Sequence, residues 1–310
     1  MLVSTGWRRT AAAALAAAGL TLAVAGPARA TWSIVVVDPD TGEVGVGVAS
    51  CVDIDPAIFL DENGVLLLAA LAPGDGAGVS QALINIDAPP RILEELEAGT
   101  SAADTVAAVT DPAFDEEPQL RQHAVIRVDA PDEPAVFTGE ENEDWAGSAT
   151  ASGVSVQGNT LVSESVVEDA LQAYQSSTGS IESRLAQGLL SGSAAGGDSR
   201  CADQTALFAH VAVADSDGNY RTRIEQVTQG DGRNPTQLLA EALTTATVSA
   251  SPSPSTGQTT ASPSSSESPA SDSVPDEASS SPMPWLIGGA VLIAAIGVGF
   301  TLARRSRSGN

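Results

Sequence analysis

Residues 248–283 are dominated by Ser, Pro, Thr and Ala, a composition too polar to collapse and too rich in proline to sustain helix or sheet. A disordered stalk is expected there. It leaves the 310-residue chain with one long foldable segment before it and a short apolar one after it. The apolar segment, 284–303, carries no charge and is followed at once by Arg304, Arg305 and Arg307. At about 1.5 Å per residue it matches a hydrocarbon core of about 30 Å. The sequence therefore predicts a single membrane-spanning helix, with 304–310 as a cytoplasmic tail because arginines stay inside.

The other end has the order of a secretory signal: Arg8 and Arg9, an apolar run over 11–25, then Gly26, Pro27 and the small-x-small triplet Ala28-Arg29-Ala30. A retained N-terminal anchor is the alternative, disfavoured because the apolar core is short and ends in a cleavage site. Cleavage after Ala30 removes 1–30 and leaves 31–247 as one globular domain on the outer face of the cell membrane, large enough to bury a core.

Charge narrows the partners. The 14 basic residues are all arginine, and six of them (Arg8, Arg9, Arg29, Arg304, Arg305, Arg307) lie outside the exported region. Eight arginines therefore face all 39 acids, a net charge of −31. Such a surface repels nucleic acid and anionic headgroups and favours solubility. The two cysteines, Cys51 and Cys201, enter an oxidising space after export, so one bridge across a long loop is expected. His123 and His210 are far apart in strand-like segments and make no zinc site with them. No cofactor motif is present.

The apolar patterning predicts a hairpin (33–37 and 44–50), strands over 65–71 and 78–83, and helices over 89–98 and 101–109, the second capped by Ser101. Strands follow at 124–128, 135–137 and 154–156, then helices at 163–174 and 181–190. A closing hairpin pairs 206–213 with 220–227. A last helix begins at Asn234, with Pro235 in the first turn and Gln237 completing a capping box. Strands in blocks with helical pairs between them argue for an antiparallel-rich α+β layer architecture. The Asp-rich segment 215–219 suits either a hairpin turn or, less well, a calcium loop.

The usual catalytic motifs are missing: no Gly-x-Ser-x-Gly elbow, no phosphate loop, no HExxH helix. One position stands out through processing. Cleavage after Ala30 makes Thr31 the N-terminal residue, with a hydroxyl nucleophile and a free α-amine on one residue. An α-amine with a pKa of about 7.7–8.0 can take the hydroxyl proton near neutral pH without a histidine. A small residue after a signal cut is also common by chance.

The segments Thr31-Trp-Ser-Ile-Val-Val-Val-Asp38 and Gly42-Glu-Val-Gly-Val-Gly-Val-Ala-Ser50 resemble the opening of the bacterial family called domain of unknown function 1028, which is grouped with the N-terminal-nucleophile (Ntn) hydrolases. The likeness continues through Ser80-Gln-Ala-Leu83 with Asn85, Leu120-Arg-Gln122, Phe137-Thr-Gly139 and Asp144-Trp-Ala-Gly147. It extends to Val156-Gln-Gly-Asn159 and Gly196-Gly-Asp-Ser-Arg200 with Gln204. The resemblance implies a four-layer αββα sandwich for 31–247, with the nucleophile on the first strand. Cytoplasmic members begin Met-Thr-Phe-Ser-Ile, so methionine removal there would expose the threonine that signal cleavage exposes here. Some members resemble proteins with peptidoglycan-binding modules, which suggests cell-wall amides as substrates.

Roles follow as expectations. Asn159 is a candidate oxyanion donor, or else a turn asparagine. Ser80 and Gln81 are candidates to line a pocket, or else polar strand residues. Arg121 and Arg200 could clamp a substrate carboxylate, or neutralise an acid such as Asp198. Proteasome-like relatives use a lysine near the nucleophile, and with no lysine in this chain an arginine would have to supply any positive group. The first reading is an amidohydrolase acting on an amide or peptide. The second is a non-catalytic surface-binding module on the same fold, and the third a structural protein with no pocket.

Overall fold

The computed structural model describes residues 31–143, 145–201 and 204–249. The expected export signal, the apolar segment 284–303, the tail and nearly all of the stalk lie outside the described residues. Among the described residues no helix is long and apolar enough to cross a membrane.

In chain order the elements are β1 (Thr31–Val37), β2 (Val44–Ser50), α1 (Pro56–Phe59), β3 (Ala69–Ala72), β4 (Gly76–Ala82), α2 (Ala88–Glu97), α3 (Ala102–Thr110), β5 (Arg121–Arg127), β6 (Ala135–Thr138), β7 (Trp145–Ala151), β8 (Val154–Leu161), α4 (Ser165–Ser176), α5 (Ile181–Ala194), β9 (Phe208–Ala214), β10 (Tyr220–Gln226) and α6 (Pro235–Ser249). The strands form a six-stranded sheet, β10-β9-β2-β1-β8-β7, and a four-stranded sheet, β3-β4-β5-β6. All pairings are antiparallel. Helices α2 and α3 cover the small sheet, the two sheets face each other, and α4, α5 and α6 cover the large one. This is an α+β sandwich with αββα layer order.

β1 sits in the middle because it is apolar on both sides. Trp32, Ile34 and Val36 face the helical layer, and Val35 and Val37 face the other sheet. A strand buried on both faces reads as a near-continuous apolar run. Its two polar residues, Thr31 and Ser33, are 5% and 0% exposed and share the inter-sheet face.

Helix α5 approaches β1 and β2 closely because small residues line both surfaces. A Cβ on Gly47 would lie 3.3 Å from Leu189 Cδ1, and one on Gly188 would lie 2.5 Å from Ile34 Cδ1 and 3.1 Å from the Ala170 carbonyl.

The expected elements differ in several places, among them the short helix α1, for which no helix is expected, and β8, which runs on to Leu161 and so carries Asn159 within the strand rather than in a turn. The strand anticipated over 65–71 is a Leu60–Leu66 bridge followed by β3. β7 was not anticipated, because Trp-Ala-Gly-Ser-Ala-Thr-Ala is half-buried edge strand without an apolar alternation. At α6 the Asn234 side chain accepts from Thr236 N at 2.9 Å, but Gln237 donates to Glu241 at 2.8 Å, so no capping box forms. α6 also runs to Ser249, two residues into the expected stalk. The Ser101 cap is present, accepting from Asp104 N at 3.1 Å, and the Asp215 turn closes on Asn219 N at 2.9 Å.

Gly188→Ala separates packing from propensity. Alanine should favour the helix by about 1 kcal/mol, whereas overpacking a tight core costs about 1–3 kcal/mol. The expected outcome is a lower urea midpoint than wild type; a higher one would show that Ile34 has room to move.

Candidate active site

Thr31 lies at the first register position of β1, between Ser50 of β2 and Asn159 of β8. Its Oγ1 is 3.3 Å from Ser50 Oγ. Strand alternation turns the side chain into the space between the sheets, at their edge.

Beneath it runs a chain of uncharged side chains across both sheets. Gln81 of β4 accepts from Ser33 Oγ at 2.7 Å and donates to Gln122 Oε1 of β5 at 2.8 Å. Its Nε2 also reaches the Thr31 carbonyl at 3.4 Å. Gln157 of β8 donates to Ser33 Oγ at 2.6 Å and accepts from Ser155 at 2.8 Å. Asn159 Nδ2 donates to Gln122 Oε1 at 3.2 Å. Gln122 Nε2 in turn donates to the Gly158 carbonyl at 2.9 Å and Thr138 Oγ1 at 2.9 Å. All of these buried amides are 2% exposed or less. A buried amide costs free energy unless bonded; here each one is bonded, and the mutual donation fixes which way each amide points.

Three non-glycine residues with left-handed backbone stand around this end of the domain: Ala82, Thr160 and Thr205, at φ of 73°, 54° and 61°. Ala82 follows Gln81 and Thr160 follows Asn159. Thr205 O accepts from Asp198 N at 3.1 Å, and Thr160 O from Ser199 N at 3.1 Å. Such conformations cost on the order of 1–3 kcal/mol each and persist where surrounding structure over-determines them.

Asp198 is fully buried. Its Oδ2 accepts from Cys51 N at 2.8 Å and from Arg200 Nη2 at 2.9 Å. Cys51 follows Ser50 and is bridged to Cys201, so the expected disulfide ties the end of β2 to the loop carrying Asp198 and Arg200. Arg121 forms a different pair. Its Nε donates to Asp115 at 2.8 Å, its Nη2 to the same carboxylate at 3.1 Å, and its Nη1 to the Leu83 carbonyl at 2.7 Å. Hydrogen bonding from Arg121, opposed by burial and aided by Asn85, holds the Asp115 carboxyl well below the usual carboxylate range. Both arginines are thus committed to carboxylates.

Ser80 points away from Thr31. It pairs with His123 on the face of the small sheet that carries Gly78, where a Cβ would meet Ile92 of α2 at 2.7 Å. Neither Ser80 Oγ nor either His123 ring nitrogen has a hydrogen-bond partner. Residues with no role anticipated from the sequence complete the site: Ser33, Ser50, Gln122 and Gln157. For Ser33 and Gln157 the signal is a polar residue at alternate positions of a largely apolar strand; Gln122, between Arg121 and His123, and Ser50, at a strand end, carry no such signal.

A narrow cleft of about 30 Å³ opens beside Thr31 and Ser50, walled by Val52, Ile54, Leu66, Leu68 and Phe208 among others. Among the described residues no cluster of His, Cys, Asp and Glu could hold a metal ion.

Fold and site together define a protein of the αββα sandwich class, with a threonine on its central strand at the mouth between the sheets. The chain belongs to the family described as family of unknown function DUF1028, whose model matches residues 31–229. The match begins at Thr31 itself. A crystal structure of protein SPO2555 from Silicibacter pomeroyi, which carries the same family model, aligns with a TM-score of 0.56 at 26% identity, covering 70% of this chain and 89% of that one. Eukaryotic HslV from Trypanosoma brucei aligns at 9% identity with a TM-score of 0.33, covering 63% of this chain and 99% of that one, a likeness too low to argue from. No curated protein matches.

The two histidines give a pH signature. Burial pushes both from the usual 6.5 down to about 4, so the folded state holds them neutral while the unfolded chain protonates them. Stability should be full above pH 6.5 and should fall between 6.5 and 4, by about 1.4 kcal/mol per pH unit for each histidine. His123→Leu removes one titrating group that has no hydrogen bond to lose. Urea titrations should therefore show a shallower acid slope in the variant, with stability at pH 7 equal or higher. An unchanged slope would exclude His123 as a source.

Proposed function

We propose that the protein is an exported, membrane-anchored amidohydrolase with Thr31 as its nucleophile. The observation that carries this reading is the coincidence at one residue of a small-x-small cleavage triplet before it, the first position of the central strand, and a cleft and amide network around it.

Once the signal is cut after Ala30, the free α-amine of Thr31 takes the proton from its own Oγ as that oxygen attacks the carbonyl carbon of a C–N amide. The developing oxyanion is met by Asn159, whose Nδ2 has two N–H donors and gives one to Gln122. The C–N bond then breaks and the amine leaves with the proton from the α-ammonium. Water adds to the resulting threonyl ester with the same amine as base, releasing a carboxylic acid and restoring Thr31. Gln81 holds the Thr31 carbonyl. The Arg200–Asp198 pair and the disulfide hold the strand end that carries Ser50.

The substrate is an amide or peptide outside the cytoplasm, with cell-wall amides the first class to screen. The apolar segment 284–303, read from its sequence as the anchor, would keep the domain at the membrane of the cell that made it, with the tail inside. The Ntn-hydrolase assignment rests on the αββα layers, the threonine position and the family's expected grouping.

A second reading, a non-catalytic surface module, draws on the commitment of Arg121 and Arg200 to carboxylates in a chain without lysine. Turnover of wall-peptide fragments and simple amides separates the two. Thr31→Ala should abolish turnover and Asn159→Ala should lower kcat by about 10²–10³-fold. N-terminal sequencing of the exported protein should return Thr31; any other first residue removes the nucleophile. Equal turnover by wild type and Thr31→Ala would exclude Thr31 as the nucleophile, and binding of wall fragments without turnover by either would establish the module reading.

A further inference from the structure

We propose that the cleft beside Thr31 selects for the acyl side of the substrate, accepting amides whose acyl residue carries a methyl-sized apolar side chain and excluding large or anionic ones. The inference rests on the amidohydrolase reading, since it assigns the substrate class of that same site.

Three observations carry it. The first is size: the cleft holds about 30 Å³, the space of one water molecule or one methyl group. The second is chemistry. Apart from Thr31 and Ser50 its walls are Val52, Ile54, Phe59 and their apolar neighbours, with no charged side chain among them. A carboxylate or ammonium placed there would lose its hydration without a partner. The third is rigidity. Leu66, Leu68 and Phe208 belong to the close-packed core between the sheets and are 2%, 8% and 3% exposed. These walls do not retreat cheaply, because interiors at crystal-like density transmit strain rather than absorb it.

The position of the cleft bears on which side of the scissile bond is read. The Thr31 hydroxyl and the cleft share the inter-sheet face of β1. The proposal seats the group on the acyl side in the cleft on the Ser50 side of Thr31, with the oxyanion toward Asn159 on the other side and the leaving amine outside. The amine is therefore read loosely and the acyl residue tightly. The surrounding charge acts in the same direction, since a net −31 on the exported region lowers the local concentration of anionic substrates.

The test uses the full-length exported protein, purified with its mature N-terminus, and a series of fluorogenic acetyl-aminoacyl coumarin amides with Gly, Ala, Val, Leu, Phe, Lys or Glu as the acyl residue. The expected kcat/KM is highest for Ala, with Leu and Phe lower by about 10- to 200-fold, the range that methylene-scale pocket differences produce, and Glu lowest. Two variants that widen the cleft at partly buried walls, Val52→Ala and Phe59→Ala, should each move the preference toward Leu by about 10-fold. A flat profile, a preference for Phe or Glu, or a preference that neither variant moves would overturn the proposal while leaving the amidohydrolase reading standing. No turnover of any member would overturn the amidohydrolase reading instead. In that case calorimetric binding of the matching acetyl-aminoacyl methylamides decides the cleft: tighter binding of Ala than of Leu and Phe supports its size selection, and equal or undetectable binding overturns it.

Discussion

The pairing of β1 between β2 and β8 is the constraint on which the site depends. Register along an antiparallel strand is set by every pair at once, and a one-residue slip would turn Trp32, Ile34 and Val36 from the helical core into the inter-sheet space. Six partners on β2 beyond Thr31 and five on β8 hold that register. Thr31 is therefore positioned by the burial of the residues that follow it. The polar side chains between the sheets depend on the same register, because Ser33 and Gln157 are directly opposed and Gln81 reaches both Ser33 and the Thr31 carbonyl. In a core that is otherwise apolar, these amides trade apolar burial for a fixed set of dipoles, and each hydrogen bond returns only about 0.5–1.5 kcal/mol. Their consequence is specificity of arrangement more than stability, with Asn159 held opposite Thr31 by Gln122.

Charge is arranged on the opposite plan. The chain is strongly acidic, yet the two buried carboxylates flanking the site, Asp115 and Asp198, each have an arginine. Two of the few arginines in the domain serve this purpose. A buried carboxylate without its cation would be costly, so these pairs are needed wherever the fold buries an acid. The side chains bonded to Thr31 itself, Ser50 and Gln81, are uncharged.

Much of this was legible in the sequence, and the parts that were not have physical reasons. The opening hairpin, the helix pairs, the closing hairpin and the Ser101 cap follow from apolar period and local turn chemistry, which are encoded nearby in the chain. β7 escaped because small and hydroxyl residues at a half-buried edge carry little periodic signal. Ser80 and Gln81 are adjacent, and the pattern marked a strand without saying which of them faces Thr31; only the pairing of β4 with β5 and its stacking on β1 settle that parity. The pairing of Arg121 with Asp115 rather than with a substrate depends on a loop that brings position 115 back to position 121, which no period reports. Gln122 and Gln157 lay within the family motifs, but their shared role emerges only when two sheets are stacked.

The proposed activation by export follows from the same register argument. Every described pair of β1 lies at Thr31 or after it, so the position of Oγ1 relative to Ser50 and Asn159 is set by the strand that follows the proposed cut. The cut changes the chemistry: an amide nitrogen, which cannot accept a proton, becomes an amine that can. A site of this kind can be folded and complete in its contacts yet inert until the peptide bond before it is cut. Under the proposed reading that cut is made by the same event that delivers the domain outside, and so the domain gains its base only where its substrates are. Restricting the cleft to small acyl groups would act at a second level, by confining an unattended nucleophile at the cell surface to a narrow class of amides.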